Sequence, residues 1–414
     1  MATNRNAAIG FIFITLLIDV IGFGIIIPVM PGLIEELAHV NVSEAATIGG
    51  SLIAAFAATQ FCFSPLVGNL SDRYGRRPVL LASLLGFAID YLFLAFAPTL
   101  AWLFVGRIVA GITGASFTTA TAYIADISTD ENRAKNFGMI GAAFGLGFII
   151  GPAIGGLLGG FGLRVPFMAA AGLCFLNFLY GFFVLPESLP VENRRKFEWS
   201  RAVPGVSLYN LKKFPALTGL MFALLLVYIG SHAVQSNWSF YTIERFNWTE
   251  RTIGISLAVV GVLVGSVQAG LTRFVNPKLG NEKSVYVGLA FYAVGMLLFA
   301  FATKSWMMFA FLIPYCLGGI CNPSLQAIMA GHVPNNQQGE LQGSLSGLMS
   351  LTTIFGPLIM ASVFRHYTAK SSSVYFPGAP FLLGAVFMIA SVVIAYRSLH
   401  SKRFTEATLQ TVEQ

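Results

Sequence analysis

Three ionisable residues stand where ionisable residues are costly. Asp19, Asp90 and Arg107 each lie inside a long apolar run. A charge at the centre of a bilayer costs about 3 kcal/mol on insertion scales, so such a residue faces a cavity or a partner and marks an ion or proton path. At about 1.5 Å per residue, Asp90 is roughly 18 Å from the inner end of its helix, and Arg107 roughly 10 Å from the outer end of the next, antiparallel one. Their depths agree. Asp90 and Arg107 are therefore either a permanent buried pair that holds two helices together or a pair that joins in proton coupling. Asp19, at mid-depth in the first run, is the candidate to take up and release a proton, with Arg107 modulating it.

A second cluster sits between two apolar runs. Gly68, Asp72, Arg73, Gly75, Arg76, Arg77 and Pro78 fall within eleven residues, setting one carboxylate among three guanidiniums at a membrane boundary. The chain turns through Gly75, and Pro78 opens the next segment where its missing N–H is least costly. Either these arginines only fix topology in a solvated loop, or they pair with acids and act as a gate. Asp126, at the inner end of the fourth run, is the acid within reach, and a solvated helix-end charge is the alternative for it.

The elements that must position these groups are membrane spans. Of 414 residues, 56% are hydrophobic and 10% charged, against about 25% charged in a soluble domain. Apolar windows of about 20 residues predict twelve helices, near 8–30, 46–70, 78–97, 100–125, 137–160, 165–186, 215–236, 252–272, 283–303, 305–330, 340–363 and 378–398. The first run is too long for a signal-peptide core and carries Asp19, so it reads as a spanning helix. Of the 25 Lys and Arg, Arg107 lies mid-span and six fall on one side: Arg164, Arg245, Arg251, Lys304, Arg365 and Lys370. The others, from Arg5 to Arg403, fall on the opposite side. The positive-inside rule puts both termini in the cytoplasm. The same placement excludes nucleic acid as the reason for the net charge of +7. Cys62, Cys174, Cys316 and Cys321 lie in apolar segments without metal-ligand spacing and read as packing residues. No metal site or cofactor is expected, and no nucleophile–base pair or nucleotide loop suggests an enzyme.

The fold class is an all-α membrane protein in two repeats. Residues 1–186 form one six-helix half, 187–214 a cytoplasmic linker, and 215–414 the other half with a short tail. The linker, with Glu192, Arg194, Arg195 and Lys196, has room for a short amphipathic helix around Phe197 and Trp199 on the inner leaflet. Gly114, Gly138, Gly151 and Pro152 recur as Gly319, Gly343, Gly356 and Pro357 at an offset of 205, and the charged loop has a degenerate partner at Gly270–Lys278 with an offset near 202. A fifth-span face built from Gly138, Gly147, Gly151, Gly155 and Gly156, with Pro152 as a kink, lets another backbone approach closely. In the second half, Gln235, Trp238, Gln268, Tyr292, Asn322 and Gln326, with Gln60 from the first half, suit the lining of a cavity for a flat, partly apolar ligand. For each amide an interhelical hydrogen bond is the alternative. His232 reads as a packed, hydrogen-bonded residue rather than a proton carrier.

The charged loop, between the second and third runs of twelve, resembles the signature loop of the major facilitator superfamily. The Gly147–Gly156 stretch resembles the antiporter motif of its drug/proton antiporter branch, and Gly106 to Ala115 its companion motif linked to proton transfer. The stretches Leu16–Pro31, Asp90–Phe96, Gly111–Ala115, Phe144–Gly147 and Gln337–Gly343 are similar to bacterial tetracycline-efflux proteins. Those proteins carry a histidine in the eighth helix and an aspartate in the ninth, where this chain has Val264 and Tyr292. The resemblance implies a charge relay through Asp72, Arg73, Arg76 and Asp126. It also implies export of a small amphipathic compound, possibly tetracycline-like, in exchange for protons across the bacterial cytoplasmic membrane; since one pair of halves can enclose one path, a functional monomer is the default expectation. A proton-coupled nutrient importer on the same fold is the alternative, as is sodium in place of the proton.

Overall fold

In the computed structural model the described residues are 2–401, apart from 115, 130–131, 200–202, 206–208 and 335–336. Ala115, Asp130, Glu131, Arg201, Lys402 and Arg403 lie outside them, as do the side chains of Arg5, Arg133 and Lys135. Among the described residues, twelve helices are long and apolar enough to cross a membrane: α1 Ile9–Ala38, α2 Val42–Tyr74, α3 Arg76–Phe96, α4 Leu100–Ile127, α5 Asn136–Gly159, α6 Val165–Val184, α7 Pro215–Phe246, α8 Glu250–Leu279, α9 Asn281–Ala300, α10 Ser305–Gly331, α11 Gln338–Thr368 and α12 Ala379–Leu399. Twelve apolar runs thus become twelve helices. Several outrun the apolar windows: α1 continues through Glu35 and Glu36, and α7 runs ten residues past its window.

Local chemistry sets the ends. The side chain of Asn41 accepts from Glu44 N at 3.0 Å and starts α2, satisfying one of the first-turn amides that a helix leaves without a partner. Asn247, in the left-handed region at φ 51°, closes α7. Gly75 separates α2 from α3 at φ 108°, and Gly280 separates α8 from α9 at φ 75°, a region that favours glycine.

Those two glycines correct the internal register. They are 205 residues apart, so the loop partner shares the offset of the other glycines rather than one near 202. Helix starts obey the same offset: Arg76 and Asn281, Leu100 and Ser305, and Ser116 and Cys321, where the second pieces of α4 and α10 begin.

The chain divides into two compact units, residues 1–204 with 248–261, and residues 205–247 with 262–414. In the first, α1 packs on α5, α3 on α6 and α4, and α2 on α4. In the second, α7 packs on α11 and α12, and α9 on α12 and α10. The α1–α5, α3–α6 and α3–α4 pairings recur six helices later as α7–α11, α9–α12 and α9–α10, whereas α8 meets α10 chiefly where the turns at Val267–Leu271 and Gly318–Ile320 come together. α8 carries a π-helical turn at Val267–Leu271, and α10 a 3-10 turn at Gly318–Ile320. The linker differs from expectation around Phe197 and Trp199. The stretch up to Glu198 is irregular, Trp199 is in a 3-10 conformation, and single 3-10 turns lie on either side, at Val191–Asn193 and Asn210–Lys213. Phe197 meets Trp199 edge-on and Trp199 is 76% exposed.

Candidate functional site

Asp90 and Arg107 form the buried pair that their depths required. Arg107 Nε donates to Asp90 Oδ1 at 3.3 Å and its Nη2 donates to Oδ2. Asp90 is 0% and Arg107 8% exposed. The Phe56 ring lies 5.8 Å from the guanidinium, and a Cβ on Gly106 would stand 2.8 Å from Asp90 Oδ1, so the glycine makes room for the carboxylate. A bidentate, two-bond pair in a dry environment is geometrically specific.

Asp19 has both carboxylate oxygens buried. Tyr91 comes down on the same face of α1: a Cβ on Gly22 would be 2.5 Å from the Tyr91 hydroxyl. The sequence reading passed over Tyr91, and the available signal was its place beside Asp90.

The residues of α1 that follow Asp19 form a seam with glycines of α5. Cβ atoms on Gly147, Gly151 and Gly155 would meet Val20 Cβ at 2.6 Å, Ile21 O at 2.7 Å and Ile25 O at 2.4 Å. Pro152 Cδ stands 2.7 Å from where a Cβ on Gly24 would be. Gly156 turns to α8 instead, where a Cβ would be 2.5 Å from Glu250 O and 3.0 Å from Gly254 Cα. Gly138 departs from expectation, because a Cβ there would meet nothing within 4 Å.

At the other end of the first unit, Arg76 bridges two acids. Its Nη1 is 2.5 Å from Asp72 Oδ1 and its Nε 3.1 Å from Asp126 Oδ2, while Ser71 Oγ accepts a further bond at 3.1 Å. Arg73 does not join this cluster. It is exposed and lies over the Tyr74 ring at 5.0 Å, because it occupies the last turn of α2 whereas Arg76 follows the sharp turn at Gly75. Arg77 donates to Phe182 O at 2.6 Å, tying α3 to α6. A Cβ on Gly68 would meet nothing within 4 Å. Sequence reasoning missed Ser71, Ser188 and Glu187. Ser188 Oγ donates to Asp126 Oδ2 at 3.1 Å.

The expected cavity residues separate into groups. Gln60 Nε2 donates to Gly114 O at 2.9 Å, the carbonyl at the end of the first piece of α4, so it holds an interrupted helix. Gln235, Gln268 and Gln326 are exposed and Asn322 half-buried within the second unit. Gln268 lies in the π turn of α8. Tyr292 is half-buried and stacks across Gly318, where a Cβ would be 2.4 Å from its ring. Trp238 is corrected to a core residue: it is 1% exposed and meets Phe299 and Phe381 edge-on. His232, 6% exposed, packs on α11, where a Cβ on Gly356 would be 2.2 Å from its ring. Of the cysteines, Cys174, Cys316 and Cys321 are buried and Cys62 is exposed, so packing does not account for Cys62. No group of His, Cys, Asp or Glu among the described residues could hold a metal ion.

The profile of the Major Facilitator Superfamily matches residues 12–313 and 220–413. The chain belongs to the major facilitator superfamily. Within it, the chain is 40% identical over 409 residues to the tetracycline resistance protein, class C, of Escherichia coli, covering 96% of this chain and 99% of the relative. It is 30% identical over 363 residues to multidrug resistance protein 2 of Bacillus subtilis, covering 85% and 88%. The fold is similar to the solved human organic anion transporter MFSD10 (TETRAN), with a TM-score of 0.69 at 24% identity, covering 94% of this chain and 99% of that one. The superfamily fold accounts for the twelve spans and their tandem repeat.

Proposed function

We propose that this chain is a drug exporter that exchanges a small amphipathic compound for protons across the bacterial cytoplasmic membrane by alternating access. It acts as a monomer with both termini in the cytoplasm. The observation that carries the reading is Asp19, a carboxylate inside the first span with both oxygens buried, on the face of α1 that Tyr91 approaches. A group in that position changes its charge at the cost of moving or meeting a ligand. That is the coupling an antiporter needs. Support for the cargo comes from the relatives, which are resistance proteins for tetracycline and for multiple drugs. In this reading Asp19 takes and gives the proton. Asp90 remains ionised against Arg107 and moves the field around Asp19 rather than carrying the proton itself. The Asp72–Arg76–Asp126 cluster gates the cytoplasmic face, and the exposed amides Gln235, Gln268 and Gln326, with half-buried Asn322, face the cargo.

The test is proton flux in acidified inside-out vesicles, with a panel of tetracyclines, other planar drugs and sugars, run beside Asp19→Asn. Proton release on adding a drug, abolished in the variant, is the expected result. Proton movement only with a sugar, and in the symport direction, would sink the export reading.

A further inference from the structure

The third helix begins without a cap of its own. Gly75 precedes it, and no side chain adjacent in sequence accepts from its first amides, which leaves donors at the positive end of the helix dipole. The acceptor comes from 111 residues away. Glu187 Oε1 accepts from Arg76 N at 2.8 Å, and Oε2 accepts from Arg77 N at 3.3 Å. The carboxylate occupies the space in which a side chain at position 75 would stand: a Cβ on Gly75 would be 2.2 Å from Glu187 Oε2. Oε1 also accepts from Ser188 N at 3.0 Å and Leu189 N at 3.1 Å, and Arg194 Nη2 is 4.0 Å from Oε2.

The chain on either side of Glu187 is seated on the same cluster. Tyr123 Oη donates to Pro186 O at 2.8 Å, Ser188 Oγ to Asp126, Arg195 N to Asp72 O at 3.1 Å, and Asn69 Nδ2 to Glu198 O at 2.6 Å. A cleft of about 460 Å³ lies between this segment and the cluster, lined by Asp72, Arg76 and Asp126 on one side and Leu189, Asn193 and Arg195 on the other.

We propose that Glu187 is a positioning residue of the gate, and that residues 186–199 form a strap it fastens. The carboxylate holds the backbone of Arg76 at the start of α3, so that the guanidinium spans Asp72 and Asp126 at once. The strap meets each of the three helices that supply the cluster. Opening the gate moves α3 relative to α2 and α4, and so must loosen the strap. The strap thus favours the closed arrangement and sets the rate of the conformational step rather than the affinity for cargo. This role rests on the proposed transport function, but the fastening itself is a property of the fold.

Two readouts on the full-length protein in liposomes separate the two. Trypsin cleavage after Arg194, Arg195 and Lys196 reports whether the strap is seated. Tetracycline uptake into inverted liposomes, resolved into kcat and KM, reports the gate. Glu187→Ala is expected to speed cleavage roughly tenfold, the effect of losing a charged helix cap, and to change kcat severalfold while KM stays within about twofold. Glu187→Gln keeps one acceptor oxygen and falls between, and it carries the comparison if Glu187→Ala does not accumulate. Gly75→Ala, which drives a methyl into the carboxylate, reproduces the faster cleavage. Glu192→Ala, exposed on the same strap, changes neither readout. Unchanged cleavage in both Glu187 variants overturns the strap, as does an equal effect from Glu192→Ala. An effect on KM alone overturns the positioning role. Normal cleavage shifts in a chain that moves no drug would refute the transport reading and leave the fastening intact.

Discussion

Asp90 and Arg107 are seventeen residues apart and meet in a place where neither could stay charged alone. Breaking such a pair strands the remaining charge and costs about 3–5 kcal/mol, whereas neutralising both partners costs much less. Arg107→Ala is therefore expected to lower the melting temperature in detergent by many degrees, and Asp90→Asn with Arg107→Gln to recover most of the loss. Equal losses in the single and double variants would mean that the pair is not what holds α3 to α4. This pair was legible in the sequence because rise per residue converts position into depth. The Arg76 cluster was legible in part. Spacing offered Arg73 and Arg76 as equivalents, and only the turn at Gly75 separates one that bridges two acids from one exposed over Tyr74. Glu187 was not legible, because a carboxylate just beyond the sixth apolar run looks like any solvated linker acid. Its partners are backbone amides, which no spacing rule can point to. Trp238 misled for a related reason: an aromatic on a polar-flanked helix reads alike whether it faces cargo or the Phe299–Phe381 core.

Among elements, α5 shows what a glycine pattern can and cannot reveal. Fourfold spacing announces a flat face, but the partner of that face comes from the fold. Gly147, Gly151 and Gly155 receive α1, and Gly156 receives α8 from far along the chain. Where the atom opposite is backbone, nothing can yield to an added methyl. Gly155→Ala, whose Cβ would meet Ile25 O at 2.4 Å, is expected to depress both accumulation in the membrane and transport by tenfold or so, with overpacking of about 1–3 kcal/mol as the cause. Gly138→Ala adds a methyl in open space and should match the parent in expression level and initial rate. Loss of function in the Gly138 variant would show that the open space around it is used in another state of the cycle. The interruptions in α4, α8 and α10 were the least readable elements. Their composition is ordinary, and the break in α4 is held by a long-range bond from Gln60 to Gly114 O.

The whole molecule is a repeat whose two copies share geometry and differ in charge. With the register at 205, Asp72, Gly75 and Arg76 of the first copy stand where Pro277, Gly280 and Asn281 stand in the second. The turning glycine is kept in both, as the positive φ demands. The acid and the guanidinium are kept in one. Two copies of a fold need the same turn to build the same helix pair, but a single ion latch suffices to bias one equilibrium. On the proposed gating role of the Arg76 cluster, the copies contribute unequally to gating although they contribute equally to the architecture. Arg76→Ala should cut the initial rate of drug-driven proton release in vesicles more than tenfold, because two acids lose their shared partner. Asn281→Ala, the same truncation at the corresponding turn, should stay within about twofold of the parent at equal amounts of protein. Matching losses at the two positions would place a second latch in the other copy, and would require that the degenerate loop gates through groups other than charges.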